Sequence, residues 1–287
     1  MSRVDLHVHT NVSDGRYSPS EVVSKAVAAE ISVLSITDHD TVGGLEAAGE
    51  AAKAFSTLKL IPGVEINTDV PSGEAHILGY FIDHTYPELL SLLSEMRVSR
   101  HDRAQKMIAK LETIGLPLSW GRVKEIASTE SIGRPHIAQA LLEKGYITSL
   151  REAFDKYLGF GKPAYIPRSK VSPVQATELI LKASGLPVLA HPFTVSEPEK
   201  MISDLREHGL AGIEVYYGSY SRSEVTHLRS FAQKYDLLVT GGSDFHGLDE
   251  TTEVGLGQSG MPMKAARALI ALGEQQPGKR RARTGAS

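Results

Sequence analysis

Cysteine is absent from the 287 residues, and tryptophan occurs once. Without thiols the chain forms no disulfide, no thiolate metal site and no cysteine nucleophile. Any metal must be held by His, Asp, Glu or backbone oxygen. No apolar run approaches the ~18 residues of a membrane span. A signal-peptide core is missing too, because Asp5, His7 and His9 interrupt the N-terminal stretch, so a bacterial-type cytoplasmic setting without membrane contact is expected. Neither sign of charge is in large excess: 31 Lys and Arg stand against 34 Asp and Glu, a net charge of −3. Bulk electrostatics therefore gives no basic field of the kind that advertises nucleic-acid binding. What is present is an ordinary globular composition, 41% apolar and 23% charged, in a chain long enough to bury a large core.

The segment Met1–Asp14 organises the rest. Val4, Leu6 and Val8 alternate with Asp5, His7 and His9, the period of a strand with one apolar and one polar face. Two imidazoles two residues apart leave such a strand on the same side. Asp14 follows in a turn beside Gly15, and two parallel imidazoles with a carboxylate suit a borderline divalent cation.

Downstream, Ser18-Pro19-Ser20-Glu21 starts a helix with an N-cap, a first-turn proline and a capping box, and Ser172-Pro173-Val174-Gln175 repeats that logic. Strands are expected at Val33–Thr37, Leu58–Ile61, Ala75–Phe81, Leu186–Ala190, Gly212–Tyr216 and Leu237–Thr240, giving seven with the first. Alternation with helices points to βα units and a parallel sheet. Each strand but the fourth bears its polar cluster at or past its C-terminal end, the distribution of an α/β barrel with an active site at one mouth. Between roughly Pro87 and Tyr165 the rhythm is helical. The expected division is a barrel from residues 1–99 and 165–276, a helical insertion at 100–164 over the active site, and a basic, mobile tail at 277–287. Arg97, Arg100 and Arg103 are expected on a solvated helix face.

Six of the eleven histidines fall in the strand-end clusters: His7, His9, His39, His76, His191 and His246. Asp14, Glu65 and Asp244 accompany them. Nine such ligands suffice for two or three divalent ions at about four to six bonds each. His84, His101, His208 and His227 lie on expected surface segments and are read as structural. N/O ligation suits Mn²⁺, Fe²⁺ or Zn²⁺ alike, and Mn²⁺ is the ion expected.

In order and context, His7-Val8-His9, Asp14, Asp38-His39, Glu65, His76, His191-Pro192 and Asp244-Phe245-His246 resemble the polymerase and histidinol phosphatase (PHP) family. Gly133-Arg134-Pro135-His136 and Lys162-Pro163-Ala164-Tyr165-Ile166-Pro167 resemble one branch of it, the 3′,5′-nucleoside bisphosphate phosphatases and 5′→3′ exoribonucleases of the RNase AM type.

That resemblance implies a distorted (β/α)7 barrel and a trinuclear centre hydrolysing phosphoesters with metal-activated water. It assigns His7, His9, Glu65 and Asp244 to one ion. Glu65 bridges to a second ion with His76 and His191, and Asp14, His39 and His246 hold a third. Asp38, Asp40 and Asp5 orient the ligands. Asp244 and His191 are candidates for proton transfer, and Arg134, His136, Lys162, Tyr165 and Arg168 for gripping the uncleaved phosphate and the nucleoside. The expected substrates are nucleoside 3′,5′-bisphosphates and short 5′-phosphorylated RNA, with no obligate protein partner. The rival readings are a histidinol-phosphate phosphatase and a metal-stabilised nucleotide-binding scaffold without turnover.

Overall fold

Seven strands lie side by side in chain order: Arg3–Asp5 (β1), Ile31–Ile36 (β2), Lys59–Val70 (β3), Gly73–Tyr80 (β4), Leu186–Leu189 (β5), Gly212–Tyr217 (β6) and Leu238–Gly242 (β7). The computed structural model describes residues 3–70, 73–127, 132–167, 171–248 and 253–275. Arg168 and the tail at 277–287 lie outside the described residues.

The sheet closes on itself through the segments that follow β1 and β7. Leu6 N donates to Gly241 O at 3.2 Å, Asp244 N to His7 O at 2.9 Å and His9 N to Phe245 O at 2.9 Å, and Val8 forms a parallel bridge to Phe245. Gly242 permits this approach: a Cβ there would fall inside contact distance of His7 Cβ and backbone N.

The sheet is mixed rather than wholly parallel. β3 pairs parallel with β2 as far as Pro62, then antiparallel with β4 from Gly63 to Val70. The change of partner falls at Pro62-Gly63, where the imide lacks an N–H, and the strand runs on beyond its expected end at Ile61. β4 is antiparallel to β5 as well. This reversal accounts for the exceptional place of His76. The N-terminal half of an antiparallel strand lies at the rim where its parallel neighbours end, and the register sets His76 opposite Asn67.

Helices cover the outside. Pro19–Ala28 (α1) opens on the expected capping box, Ser18 N donating to Glu21 at 2.8 Å, an arrangement worth about 1 kcal/mol. Leu45–Ala52 (α2) follows. Pro87–Thr113 (α3) runs unbroken across the expected start of the insertion at residue 100. Trp120–Ala127 (α4), Arg134–Glu143 (α5) and Leu150–Ala153 (α6) come next. Pro173–Lys182 (α7) has the expected Ser172–Gln175 box. Pro198–Glu207 (α8), Arg222–Lys234 (α9) and Met263–Gln275 (α10) are the last α-helices among the described residues. Among the described residues, no helix is long and apolar enough to cross a membrane.

Along β6, Ile213 and Val215 join the apolar cluster beneath the helices, while Glu214, on the alternate face, points inward to His7. A separate apolar cluster, including Met107, Leu111, Val123, Ile137, Leu141 and Leu158, forms within residues 104–166. The basic stretch of α3 is not a solvated face. Arg100 and Arg103 are both buried. Arg100 Nε donates to Asp40 Oδ2 at 2.6 Å, and Arg103 Nε to Ile166 O at 2.6 Å. The spacing that groups these arginines turns them toward the barrel rim, where a carboxylate and a carbonyl compensate for lost hydration.

Candidate metal centre

The nine His, Asp and Glu side chains singled out in the sequence meet at one rim of the barrel. Glu65 is central. Its Oε1 lies 2.7 Å from His76 Nδ1 and 3.2 Å from His191 Nε2. Its Oε2 lies 2.9 Å from His39 Nδ1, 3.2 Å from His7 Nε2 and 3.3 Å from His9 Nε2. Asp244 Oδ1 approaches His9 Nε2 at 3.0 Å and His7 Nε2 at 3.3 Å. Asp14 Oδ1 is 3.4 Å from His246 Nε2, and Asp14 Oδ2 is 3.8 Å from His39 Nε2.

Among the described residues, three groups are tight enough to hold an ion: His7, His9, Glu65 and Asp244; His9, Asp14, His39 and His246; and His39, Glu65 and His76. The first is the set the resemblance implies. The second adds His9 to the expected trio. In the third His39 stands beside Glu65 and His76, while His191, at the end of the strand next to that of His76, reaches Glu65 Oε1.

A donor set of this kind fits hard-to-borderline divalent cations. Four of its buried atoms, His7 Nε2, His9 Nδ1, His9 Nε2 and Glu65 Oε2, have no hydrogen-bond partner among the described residues. Buried polar atoms are rarely left so unless an ion or ligand claims them.

Charge is balanced within the cluster. Burial acts against ionising Glu65, yet His39, His7 and His76 hold its pKa well below the usual carboxylate value. Asp14 and Asp244 are held low in the same way, against burial, by His39 and His246 for Asp14 and chiefly by His7 for Asp244. Burial opposes protonation of His7 and His246, but the carboxylates prevail. Glu214 and Glu65 raise His7 well above the ordinary imidazole value, and Asp14 raises His246 to about 10. His191 is raised as well, burial being outweighed by Glu65. At His39 burial wins, and its pKa falls to about 4.

The supporting residues show how these side chains are aimed. Asp38 accepts from Thr10 N, Thr10 Oγ1 and Ser13 Oγ, each at 2.7 Å, and so ties down the loop that carries Asp14. Asp40 accepts from Asn67 N at 2.9 Å, and Asn67 Nδ2 lies 3.0 Å from both Asp40 Oδ2 and His39 Nδ1. Asp5 takes Ser243 N, Ser243 Oγ and Gly257 N, which fixes the approach to Asp244. Asp40, His191 and Asp244 adopt left-handed backbone at φ 54°, 27° and 56°, a conformation that non-glycine residues keep only where their surroundings enforce it.

Four contributors lie beyond the sequence reading: Glu214, Asn67, Tyr217 and Glu253. Glu214 binds His7 Nδ1 at 3.0 Å and His191 N at 2.9 Å. Tyr217 Oη donates to Asp244 Oδ2 at 2.9 Å. Glu253 accepts from Gly247 N at 2.9 Å and Leu248 N at 3.0 Å, and also from His246 N. A glutamate between Ile213 and Val215 in an otherwise apolar strand was the one available sign of Glu214.

The substrate-side candidates are less concentrated. His136 is buried, accepts from Gly133 N at 2.9 Å, and lines a cavity of about 410 Å³ with Asp14, Gly15, Arg16 and Gln139. Arg134, at the first position of α5, sits over the Phe154 ring at 5.7 Å. Tyr165 meets Phe160 edge-on and lies under Arg103, and Lys162 is exposed. None of these three lines that cavity.

Similarity to known proteins agrees with this geometry. A 3′,5′-nucleoside bisphosphate phosphatase of Chromobacterium violaceum is 35% identical over 255 residues, 87% of this chain and 89% of that protein. The 5′-3′ exoribonuclease Rnm of Escherichia coli K12 is 35% identical over 247 residues, 84% of each chain. A crystal structure from Bifidobacterium adolescentis, described as a metal-dependent phosphoesterase, superposes with a TM-score of 0.83 at 29% identity, covering 94% of this chain and 96% of that one. The model of the PHP domain matches residues 5–164, and the chain belongs to the PHP domain family.

Proposed function

We propose that the protein is a metal-dependent phosphoesterase that removes the 3′-phosphate of nucleoside 3′,5′-bisphosphates, leaving a nucleoside 5′-monophosphate. Short 5′-phosphorylated RNA is its second substrate, attacked from the 5′ end at the equivalent phosphate. One observation carries the reading: six imidazoles and three carboxylates from separate strand ends face one another around Glu65 at the barrel rim. The resemblance of the chain to a bisphosphate phosphatase and to an exoribonuclease supports the choice of substrate.

In this reading His7, His9, Asp14, His39, Glu65, His76, His191, Asp244 and His246 hold two or three divalent ions, Mn²⁺ foremost. Such ions supply Lewis acidity, an activated water and neutralisation of phosphoryl oxygens when bound. The protein's own groups do the rest. Glu214 keeps the proton of His7 on Nδ1, so that Nε2 faces the cluster. Tyr217 fixes the Asp244 carboxylate. Asp244, held ionised by His7 and its neighbours, and His191, which lies against Glu65, are the groups placed to assist proton transfer at the reacting phosphate. Arg134 and the positive, N-terminal end of α5 grip the phosphate that is not cleaved, with His136, Lys162, Tyr165 and Arg168 around the nucleoside. Residues 100–164 form the cover over this side of the mouth.

Phosphate release from adenosine 3′,5′-bisphosphate, histidinol phosphate and a 5′-phosphorylated oligoribonucleotide, each assayed with Mn²⁺ and with a chelator, tests the proposal. Metal-dependent release from the bisphosphate is expected. Turnover of histidinol phosphate alone, or of nothing, would overturn it.

A further inference from the structure

A run of aromatic rings leads outward from the candidate metal centre. The His191 ring meets Tyr217 edge-on at 5.4 Å, Tyr217 meets Tyr220 at 5.0 Å, and Tyr220 meets Phe193 at 5.4 Å. Tyr220 and Phe193 lean on the apolar cluster of the barrel. Tyr217, half-buried, belongs to none of the apolar clusters among the described residues. Its ring is therefore poorly accounted for by core packing, although its hydroxyl reaches Asp244. Arg222, exposed at the start of α9, follows Tyr220 by two residues and makes no ion pair among the described residues. None of these residues lines the cavity beside Asp14 and His136; the run joins the candidate metal centre through the contacts of Tyr217 with His191 and Asp244.

We propose that Tyr217, Tyr220 and Phe193 form a stacking platform for the base of the second nucleotide, the one that keeps the scissile phosphate on its O5′ when the 3′-oxygen of the first nucleotide departs. The ligand is single-stranded RNA, and this inference rests on the phosphoesterase reading. A nucleoside bisphosphate has one base, held on the insertion side, and nothing to lay on the platform. An oligonucleotide places its second base beyond the scissile phosphate, next to His191 and Asp244, where Tyr217 begins the run. Aromatic faces accept any base, and a nearby guanidinium meets the following phosphate, so recognition is by strand rather than by sequence.

Tyr217→Leu, Tyr220→Leu and Tyr217→Phe test the platform on two substrates, a nucleoside 3′,5′-bisphosphate and a 5′-phosphorylated RNA hexamer, with Mn²⁺. Binding of the labelled hexamer to chelator-treated protein is followed by fluorescence anisotropy. Both leucine variants are expected to weaken hexamer binding and raise its KM roughly ten-fold. Tyr220→Leu is measured against the unaltered protein, with KM for the bisphosphate unchanged, and Tyr217→Leu against Tyr217→Phe, which shares its loss of the bond to Asp244. Tyr217→Phe keeps the ring, so it preserves the ratio of the two KM values even though losing the bond to Asp244 lowers kcat on both. Equal effects on both substrates, unchanged hexamer binding in the leucine variants, or no hexamer binding by the unaltered protein overturn the platform. Lack of turnover on either substrate would instead remove the phosphoesterase reading, and anisotropy would still decide the platform. If Tyr220→Leu lowers the melting temperature, Tyr217→Leu decides, since its ring lies outside the core.

Discussion

Glu214 ties His7 to His191: one carboxylate oxygen lies 3.0 Å from His7 Nδ1, and the other accepts the backbone N–H of His191 at 2.9 Å. A single buried side chain on β6 thus aims two residues that reach the centre from different strands. Glu214→Gln preserves volume but presents an amide N–H₂ to a partner that is itself a donor. It is expected to weaken metal binding by about 10- to 100-fold, read by titration calorimetry, with little change in melting temperature. Glu214→Ala leaves the His191 N–H buried without an acceptor and should cost about 1–3 kcal/mol in urea denaturation. Unchanged metal affinity in Glu214→Gln would remove the orienting role.

Arg100 and Asp40 join α3 to the loop that follows β2, at 2.6 Å and with both side chains buried. Asp40 also holds Asn67, which lies against His39, so the helix bears on the site through three residues. Removing one partner of a buried pair strands the other charge. Arg100→Met is accordingly expected to lose about 3–5 kcal/mol, whereas Arg100→Met combined with Asp40→Asn should lose clearly less than the sum of the two single changes. Additive losses in a denaturation cycle would show that the pair is not coupled.

The histidines at strand ends were legible because polar clusters recur at the ends of apolar strands only where those ends share a site, and His191-Pro192 and Asp244-Phe245-His246 have that form. The reversal of β4 was not legible, since Ala75–Phe81 reads the same in either direction and only its partners set its sense. The extension of β3 was hidden by Pro62-Gly63, which locally reads as a stop but here marks a change of neighbour. Arg100 and Arg103 looked solvated because periodicity groups residues on a face without saying what that face meets. Glu214 and Asn67 act through partners far away in sequence, and nothing local to either residue names those partners.

Arg134 heads α5, where the guanidinium stands at the positive end of the helix dipole. Arg134→Ala should raise KM for a nucleoside 3′,5′-bisphosphate by about ten-fold or more while leaving hydrolysis of a simple aryl phosphate nearly unchanged, because the aryl ester lacks the second phosphate. Equal losses on both substrates would place Arg134 in the general structure of the insertion instead.

Protons and metal ions compete for the same nitrogens, which makes metal uptake dependent on pH. His246, raised to about 10 mainly by Asp14 against the pull of burial, is protonated at neutral pH in chelator-treated protein, and His7 and His191 are shifted the same way. A divalent ion requires the neutral ring, so binding must release these protons, and affinity should climb from neutral pH toward 10. Titration calorimetry at pH 7 in buffers of different ionisation heat should therefore show net proton release. A heat independent of buffer would contradict the assignment of His246 as a ligand. Stability of the chelated protein follows from the same groups. A raised imidazole stabilises the fold fully below its unfolded value of about 6.5, and that contribution is lost as pH rises through the folded value, about 10 for His246. His39 acts in the opposite sense: burial lowers its pKa to about 4, so stability falls as pH drops from about 6.5 toward that value. Asp14, Glu65 and Asp244 stabilise above about 4 and lose that contribution as pH falls through their lower folded values. The melting temperature of the chelated protein should thus peak near pH 6.5 and decline toward pH 10, and added Mn²⁺ should flatten the alkaline limb by replacing imidazolium charge with its own.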